Sequence, residues 1–340
     1  MAVRIHFAGL APGRPLVMIA WAAYAKDPVL AGGTTVHYGR ELADVFHKHW
    51  RIAATLEDCD VVVYPHSYED GPETAKAAEA ARAAGKPCLF YSQDERLPPS
   101  RLSYGTLYRS SIFKKLGHER AHPVFIYDLK VESQGAFPET LAKQDVPEIG
   151  FCGYVGTPLS RLGLRLLGAH QKVDGLAFRA RVLDAVKRDP RLRSRFVARA
   201  SYLGAAPLAA FQGDHPLAAE RLVFLSNLYE APYALAMRGK GNHSVRFYEI
   251  LSAGRIPLFV NTGCVLPLEN EINWKDHTVW VEDSEVPRIG ERVRDFHDRI
   301  APEEFQDLQR RNRQLWETRL QPEPYFRYVL ETVAKGGKAP

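Results

Sequence analysis

Short apolar runs alternate with amphipathic stretches along the first part of the chain, which predicts an α/β protein with a buried parallel sheet. The runs expected to form early strands are 4–8, 15–21, 60–64, 87–91 and 124–127. Helices are predicted over 38–50 and from Pro72, which suits a first helical turn, to Gly85. Residues 96–121, rich in Arg, Lys, Ser and Tyr, are expected to be irregular.

The same pattern resumes at residue 149, after a stretch at 133–147 that carries glycine, two prolines and polar residues. We interpret that stretch as a linker between domains. The elements predicted beyond it are strands over 149–153, 233–237, 256–260 and 278–281 and helices over 162–170, 176–188, 217–229, 286–300, 302–316 and 325–334. The predicted organisation is a first domain at 1–147, a second at 148–320 and a C-terminal helix and tail at 321–340.

Length and charge narrow the class of protein and of partner. A chain of 340 residues suits two α/β domains, each with its own core. The net charge of +5 suits an acidic small substrate or peripheral contact with the inner face of an anionic membrane. A nucleic-acid partner is not expected, because the basic residues are interspersed with acids. Four scattered cysteines, no spaced His/Cys set for a metal and no visible signal peptide predict a cytoplasmic protein.

Residues 238–257 are predicted to form a loop, a helix, a turn and a strand, and cations collect where the helix begins. Gly239 and Gly241 allow close approach of the backbone to a ligand, and Asn242 or Ser244 can cap the helix. The cations near the helix start are Arg238, Lys240, His243 and Arg246. Free N–H groups, the positive end of the helix dipole and these cations together predict a phosphate site.

The same stretch resembles the donor-binding signature of the exostosin-type glycosyltransferases, glycosyltransferase family 47. That signature is an Arg-Gly pair and then Ser-x-Arg-x-x-Glu-x-Leu-x-x-Gly-x-Ile-Pro, matched here by Arg238, Gly239, Ser244, Arg246, Glu249, Leu251, Gly254, Ile256 and Pro257. The similarity extends through Leu266-Pro267, Asn273-Trp274 and 279–282, so it covers roughly the last third of the chain. Fucosyltransferases carry a related Glu-x-x-x-x-Gly-x-x-Pro pattern.

The resemblance implies the GT-B architecture, in which two Rossmann-like domains face each other across a cleft and the C-terminal helix crosses back to the first domain. The first domain would bind the acceptor and the second the nucleotide sugar, without a metal or another cofactor. By resemblance, Ser244 and Arg246 contact the diphosphate and Glu249 the ribose hydroxyls, which suits a carboxylate because it can accept two hydrogen bonds from a diol. The further expected donor contacts are Gly153, Gly156, Arg238, Lys240, Asn242 and Thr262.

Arg246 and Glu249 also have a simpler interpretation. Three residues apart on a helix, they share a face and could form a surface ion pair of little energetic weight. That interpretation is weakened because Arg246 lies in the first turn, where the helix dipole disfavours a cation unless an anion is nearby.

A catalytic base, needed if the transfer inverts the anomeric centre, is predicted in the first domain. Asp94 and Glu95 follow the apolar run 87–91, and ligands bind at the carboxyl ends of strands in open α/β sheets. They are the preferred candidates, and an exposed acidic loop is the alternative. His66 follows the run 60–64 in the same way, although a lone histidine is more often structural.

The sequence thus predicts metal-independent, inverting transfer of a sugar from a UDP- or GDP-linked donor to a glycan or glycolipid acceptor, in surface polysaccharide assembly. Two alternatives stay open. One is a fucosyltransferase-like enzyme that uses a GDP-sugar. The other is a GT-B module that binds a sugar nucleotide without turnover, and release of nucleoside diphosphate would distinguish an enzyme from such a module.

Overall fold

The computed structural model describes residues 2–27, 29–30, 39–92, 100–112, 119–168, 170–200 and 218–340. The chain divides into two compact units. The first comprises residues 1–125, 265–272 and 318–340, and the second comprises 126–264 and 273–317. Each unit contains one parallel sheet with helices, so the predicted α/β fold with two Rossmann-like sheets is confirmed.

Strands and helices alternate along most of the chain, as the apolar pattern predicts. The strands are β1 (Val3–Phe7), β2 (Trp50–Ile52), β3 (Val61–Ser67), β4 (Cys88–Ser92), β5 (Thr106–Arg109), β6 (Glu119–Ala121), β7 (Glu148–Tyr154), β8 (Arg193–Arg199), β9 (Tyr233–Ala236), β10 (Ile256–Asn261) and β11 (Val279–Glu282). The helices are α1 (Met18–Tyr24), α2 (Gly39–His49), α3 (Pro72–Ala83), α4 (Leu129–Glu132), α5 (Pro158–Leu166), α6 (His170–Arg188), α7 (Ala218–Glu230), α8 (Val245–Ser252), α9 (Ile289–Arg299), α10 (Pro302–Leu315) and α11 (Pro322–Ala334). Short 3₁₀ segments lie at Trp274–Asp276 and Asp283–Arg288, and a π-helical turn lies at Trp316–Leu320.

The first sheet has the strand order β2-β1-β3-β4-β5-β6, and every neighbouring pair is parallel. The order reverses between β1 and β3, as in doubly wound sheets. Helix α11 packs on α2, β1 and β3, and the ring of Phe326 meets the edge of Tyr91 at 5.6 Å between centroids. The C-terminal helix therefore belongs to the first unit, as predicted.

The second sheet has the order β11-β10-β9-β7-β8, again with all pairs parallel. Its order reverses between β7 and β9. The central strands are apolar throughout because helices cover their side chains, and Ile149, Leu235, Leu258 and Val281 are fully or almost fully buried in one core. This core fixes the carboxyl ends of β7, β9 and β10, where the loops of the candidate site begin.

One apolar run was assigned to the wrong element. The predicted strand at 15–21 is wrong, because the chain forms helix α1 there and only Leu16 makes an isolated bridge, to His66. A short apolar run does not by itself distinguish a buried strand from a buried helix. Residues 19–23 are all buried, and three of the five are alanine, the strongest helix former, which decides for the helix.

Three further expectations differ from the structure. Residues 124–127, predicted as a strand, belong to no strand or helix, and the stretch expected to be irregular contains β5 and β6. Strand β8 was not expected, because its sequence Arg-Ser-Arg-Phe-Val-Ala-Arg has only three consecutive apolar residues between charged ones. It is an edge strand of the second sheet, and charged side chains are common on such edges since one side faces solvent.

The stretch interpreted as a linker packs against the second unit, which begins at residue 126. The fully buried Arg255 holds it there by donating to the carbonyl oxygens of Pro138 (2.8 Å) and Glu139 (2.9 Å), and it also donates to Tyr229 O (2.8 Å). Burial lowers the pKa of Arg255 to about 10. The ring of Phe137 stacks on Tyr229 at 4.7 Å. Glycine and proline content alone therefore misplaced the boundary.

Candidate nucleotide-binding site in the second unit

Three loops meet at the carboxyl edge of the second sheet. They follow β7, β9 and β10, and they lead into α5, α8 and the turn at 262–264 respectively. The strand order reverses between β7 and β9, and ligands of open α/β sheets bind in the crevice at such a switch point. Gly153 and Arg238, two of the predicted donor residues, are more than eighty positions apart in the sequence. Parallel pairing of the strands brings the predicted donor residues to one edge of the sheet.

Gly153 and Arg246 face each other across this switch point. A Cβ atom built on Gly153 would lie 3.7 Å from Nη2 of Arg246 and 3.2 Å from Cζ of Phe151. The guanidinium of Arg246 also lies over the rings of Phe224 (4.6 Å) and Phe151 (5.8 Å), which are cation–π contacts that fix its position. A larger residue than glycine at 153 would crowd both the arginine and any ligand beside it.

Helix α8 begins beside Arg246 without a side-chain cap. Ser244 occupies the cap position with extended backbone angles (φ −133°, ψ 110°), but its side chain makes no capping hydrogen bond in the structure. Its carbonyl accepts from the N–H of Phe247 at 3.1 Å. The first N–H groups of a helix lack intrahelical partners, so this helix start can offer donors and its positive dipole end to an anion.

Helix α6 contacts the loop after β9 and the end of β7. A Cβ atom on Gly175 would lie 2.2 Å from the carbonyl oxygen of Gly239, so only glycine fits there. Arg179, one turn further along α6, donates to Arg238 O (3.3 Å) and to Tyr154 O (3.0 Å). It thereby ties the end of β7 to the loop after β9, a role that the sequence did not indicate.

Asn242 and Thr262 join the loop after β9 to the end of β10. Asn242 is fully buried and donates to Thr262 O at 3.3 Å, while the Thr262 hydroxyl donates to the Asn242 side chain. The thiol of Cys264 donates to Asn242 O at 3.0 Å. These bonds favour a positioning role for both predicted donor residues, because they shape the loop from inside.

Arg238, Lys240 and Gly156 lie around the same edge in different settings. The guanidinium of Arg238 lies 5.5 Å from the ring of Phe178, and Lys240 is exposed. Gly156 has a φ of +71°, the left-handed region that favours glycine, and a Cβ atom there would lie 3.0 Å from the Ser160 hydroxyl. The loop after β7 therefore depends on glycine at this turn.

Arg246 and Glu249 are part of a largely buried charge network and not an isolated, solvent-exposed pair. Nε of Arg246 donates to Glu249 at 2.9 Å, and their side chains are only 22% and 14% exposed. On its other side, Glu249 lies 3.7 Å from a guanidinium nitrogen of Arg221. Arg221 in turn makes a bidentate pair with Glu132, at 2.6 and 2.7 Å. Two arginines and two glutamates thus balance each other beside the switch point.

Phe224 organises this network. The guanidinium of Arg221 lies 4.5 Å and that of Arg246 4.6 Å from its ring centroid. Burial alone would lower the pKa of Arg221, but the hydrogen bonds that Arg221 donates to Glu132 and the charge of Glu249 outweigh it, so the pKa is raised. Arg221 therefore stays cationic, and Glu249 lies between two guanidinium groups. Sequence reasoning missed Arg221, Glu132 and Phe224, because they lie on α7 and α4, outside the recognised motif.

Of the three residues predicted as the catalytic base, the structure describes only His66. Asp94 and Glu95 lie outside the described residues, just after β4, which ends at Ser92. His66 is buried (1% exposed), and its Nδ1 lies 3.2 Å from Pro15 O while its Nε2 lies 3.2 Å from Ala11 N. Both ring nitrogens thus contact the loop after β1. This geometry favours a structural role for His66, and the base stays a prediction on Asp94 or Glu95.

One Asp-x-Asp triplet, a pattern of the kind that can hold a metal ion, occurs at Asp58-Cys59-Asp60. It precedes β3, at the amino edge of the first sheet. Asp60 is paired there with Arg4 at 2.7 Å, and the pKa of its carboxyl is lowered by that hydrogen bond. Asp58 accepts from the Thr55 hydroxyl at 3.0 Å. These partners give both carboxylates a structural explanation, at the sheet edge opposite to the one where ligands bind.

Comparison with known proteins gives a limited match in sequence. A curated relative, Exostosin-1 of Drosophila melanogaster, is 31% identical over 98 residues, which is 29% of this chain and 12% of that protein. The chain is similar to an exostosin. It matches only a small part of that relative's length, and no protein-family model matches the chain.

Two solved structures align over nearly the whole chain. One is a glycosyltransferase from Rickettsia africae, with 10% identity, 98% of each chain covered and a TM-score of 0.40. The other is WaaG, a glycosyltransferase involved in lipopolysaccharide biosynthesis, with 12% identity, 99% of this chain and 100% of that chain covered and a TM-score of 0.35. TM-scores this low do not support a fold assignment. The fold is assigned from the two parallel sheets described above.

Removal of the Arg221–Glu132 pair tests whether it positions Glu249. We expect Arg221→Met combined with Glu132→Leu to fold normally, since a buried pair replaced by apolar residues of similar volume is often tolerated. Nucleoside affinity should fall by about three- to tenfold, because Glu249 loses one of its two cations. The matched control is Arg195→Met with Glu148→Leu, a pair at the opposite edge of the same sheet. Calorimetric titration that finds equal affinities in both double variants would show that Arg221 does not position Glu249.

Proposed function

We propose that the protein is a glycosyltransferase that binds a nucleotide-diphosphate sugar at the carboxyl edge of the second sheet. The observation that carries this proposal is the placement of Arg246 opposite Gly153 at the switch point, beside the uncapped start of α8. A guanidinium, free backbone N–H groups and a glycine turn are what a diphosphate requires. The similarity to an exostosin supports sugar transfer as the activity.

Each group has a role in this proposal. Arg246, Ser244 and the first N–H groups of α8 bind the diphosphate and stabilise the negative charge that it gains as the sugar leaves. Glu249 accepts hydrogen bonds from the ribose hydroxyls, held for this by Arg246 and Arg221. Arg238 and Lys240 contribute positive potential at the rim. Asn242 and Thr262 keep the loop in place.

The finer parts of the proposal concern the acceptor. We propose an inverting transfer to a glycan or glycolipid, in surface polysaccharide assembly, with the acceptor bound by the first unit. Asp94 or Glu95 takes the proton of an acceptor hydroxyl, whose oxygen attacks the anomeric carbon. The bond from that carbon to the diphosphate breaks, and the nucleoside diphosphate leaves with the electron pair. Support for these parts comes from the sequence, where both acids follow the apolar strand β4.

The activity is tested by incubating the protein with a panel of UDP- and GDP-sugars and measuring the release of nucleoside diphosphate. We expect release with one donor class, accelerated by a suitable glycan or glycolipid acceptor. Preference for a GDP-sugar would favour the fucosyltransferase-like alternative. Tight binding of a donor with no release across the acceptor panel would instead identify a module that binds sugar nucleotides without turnover.

Donor binding is expected to need no divalent metal, because arginines and a helix start supply the positive charge that a metal would otherwise provide. UDP or GDP should raise the melting temperature, and the rise should grow with the logarithm of ligand concentration over Kd, since a ligand bound only to the folded state stabilises it. The rise should be the same with a chelator and with added magnesium. Thermal-shift measurement in both buffers checks this, and a rise that disappears with the chelator contradicts metal-free binding.

A further inference from the structure

Helix α5 carries an apolar face that stays exposed in the part of the chain that the structure describes. Leu159, Leu162 and Leu166 follow each other at helical spacing and are 78%, 54% and 80% exposed, and Leu167 directly after the helix is 83% exposed. No residue of α5 is buried. Contiguous exposed apolar patches of this kind mark interaction sites more often than isolated leucines do.

The helix itself is well defined at its start. The Thr157 side chain accepts from the N–H of Ser160 at 3.1 Å, and the Ser160 hydroxyl accepts from the N–H of Thr157 at 2.8 Å. This reciprocal capping box satisfies two of the free donors of the first turn. The leucines are therefore presented by a capped helix, in a fixed register relative to one another.

The helix also carries two arginines outside the leucine face. Arg161 and Arg165 lie one turn apart, and Arg165 is exposed on the flank of the leucine face. The sequence from residue 149 to residue 173 contains no Asp or Glu, and neither arginine pairs with an acid among the described residues. Leucines on one face with unpaired arginines beside them are typical of helices that lie in a membrane interface.

We propose that α5 docks on a bilayer that contains anionic phospholipid, with the leucines in the acyl boundary and Arg161 and Arg165 at the headgroups. The arginines favour this occupant over an apolar protein groove, because anionic headgroups neutralise both of them. The contact is peripheral: no helix in the described parts of the chain has the length and apolarity needed to cross a bilayer. The proposal stands on α5 alone and does not depend on the proposed activity.

Vesicle co-sedimentation of the full chain tests the docking. Binding is expected to vesicles of phosphatidylcholine with phosphatidylglycerol, to be much weaker with phosphatidylcholine alone, and to fall as salt is raised. Leu159→Gln with Leu166→Gln should reduce the partition coefficient by at least about tenfold, because two leucines no longer leave water. Arg161→Gln with Arg165→Gln should reduce it by about tenfold and remove the difference between the two vesicle types.

The matched control is Val29→Gln with Ile52→Gln, two exposed apolar residues of the first unit that should not affect binding. The leucine variant should also unfold at the wild-type temperature, since its leucines are exposed. A melting temperature lower by several degrees would show that the leucines are covered within the chain and would overturn the proposal. Equal binding of the wild-type protein to both vesicle types would also overturn the proposal. The same holds if analytical ultracentrifugation shows a wild-type dimer that is absent in the leucine variant.

Discussion

Replacement of Arg246 by alanine is expected to weaken the binding of nucleoside diphosphate by about 10- to 150-fold. A charge-assisted hydrogen bond contributes roughly 1.5–3 kcal/mol, which is this range of affinity. The binding of the bare nucleoside should fall less, by about three- to tenfold, because Arg246 binds phosphate directly and also holds Glu249, the proposed partner of the ribose. Folding should be retained, since Glu249 keeps Arg221 as a cationic neighbour.

Calorimetric titration of Arg246→Ala with nucleoside and with diphosphate measures this difference. Arg246→Lys should recover only part of the loss, because lysine keeps the charge but not the planar fork of donors. Glu249→Ala should weaken the nucleoside as well, because its proposed partner is ribose. The matched control is Arg82→Ala, which breaks a pair on α3 with the same spacing but with 61% and 59% exposed side chains, and should leave affinity unchanged. If Arg246→Ala behaves like this control, the site does not bind diphosphate.

Loss of the catalytic base is expected to lower turnover by about 100-fold or more, the usual effect of removing a general base. Asp94→Asn and Glu95→Gln each keep the size of the side chain and remove its charge, so one of them should show this loss. Donor affinity should stay within about twofold of wild type, because the donor residues lie on the second unit. Steady-state rates of diphosphate release, together with titration of the donor, separate the two quantities.

His66→Asn distinguishes a catalytic from a structural histidine in the same assay. Because both ring nitrogens contact backbone atoms of the loop after β1, this variant should lower the melting temperature. Its turnover, measured well below that temperature, should remain within a few-fold of wild type. Wild-type turnover in both Asp94→Asn and Glu95→Gln would show that neither residue is the catalytic base. A loss of turnover in His66→Asn without a loss of stability would identify His66 as the base.

Sequence reasoning predicted the helix and the strand around the candidate site correctly because these elements have strong local signals. The helix that begins after Ser244 and the strand that follows Gly254 appear as α8 and β10. Gly156 lies after strand β7, as the sequence predicted, whereas Gly153 is still part of β7 and pairs with Ala198 of β8. Local signals cannot show partners that are distant in sequence, so the bidentate pair between Arg221 and Glu132, 89 residues apart, was missed.

By itself, the sequence determined that the chain is an α/β protein with parallel sheets, since strands buried on both faces are continuously apolar. It also determined which loop collects the cations. The tertiary structure alone decided that residues 18–24 are helical, that a polar segment forms edge strand β8, and that the supposed linker belongs to the second unit. It also decided that Glu249 lies between two arginines. These features depend on burial and on contacts between distant segments, which packing creates and which local periodicity does not encode.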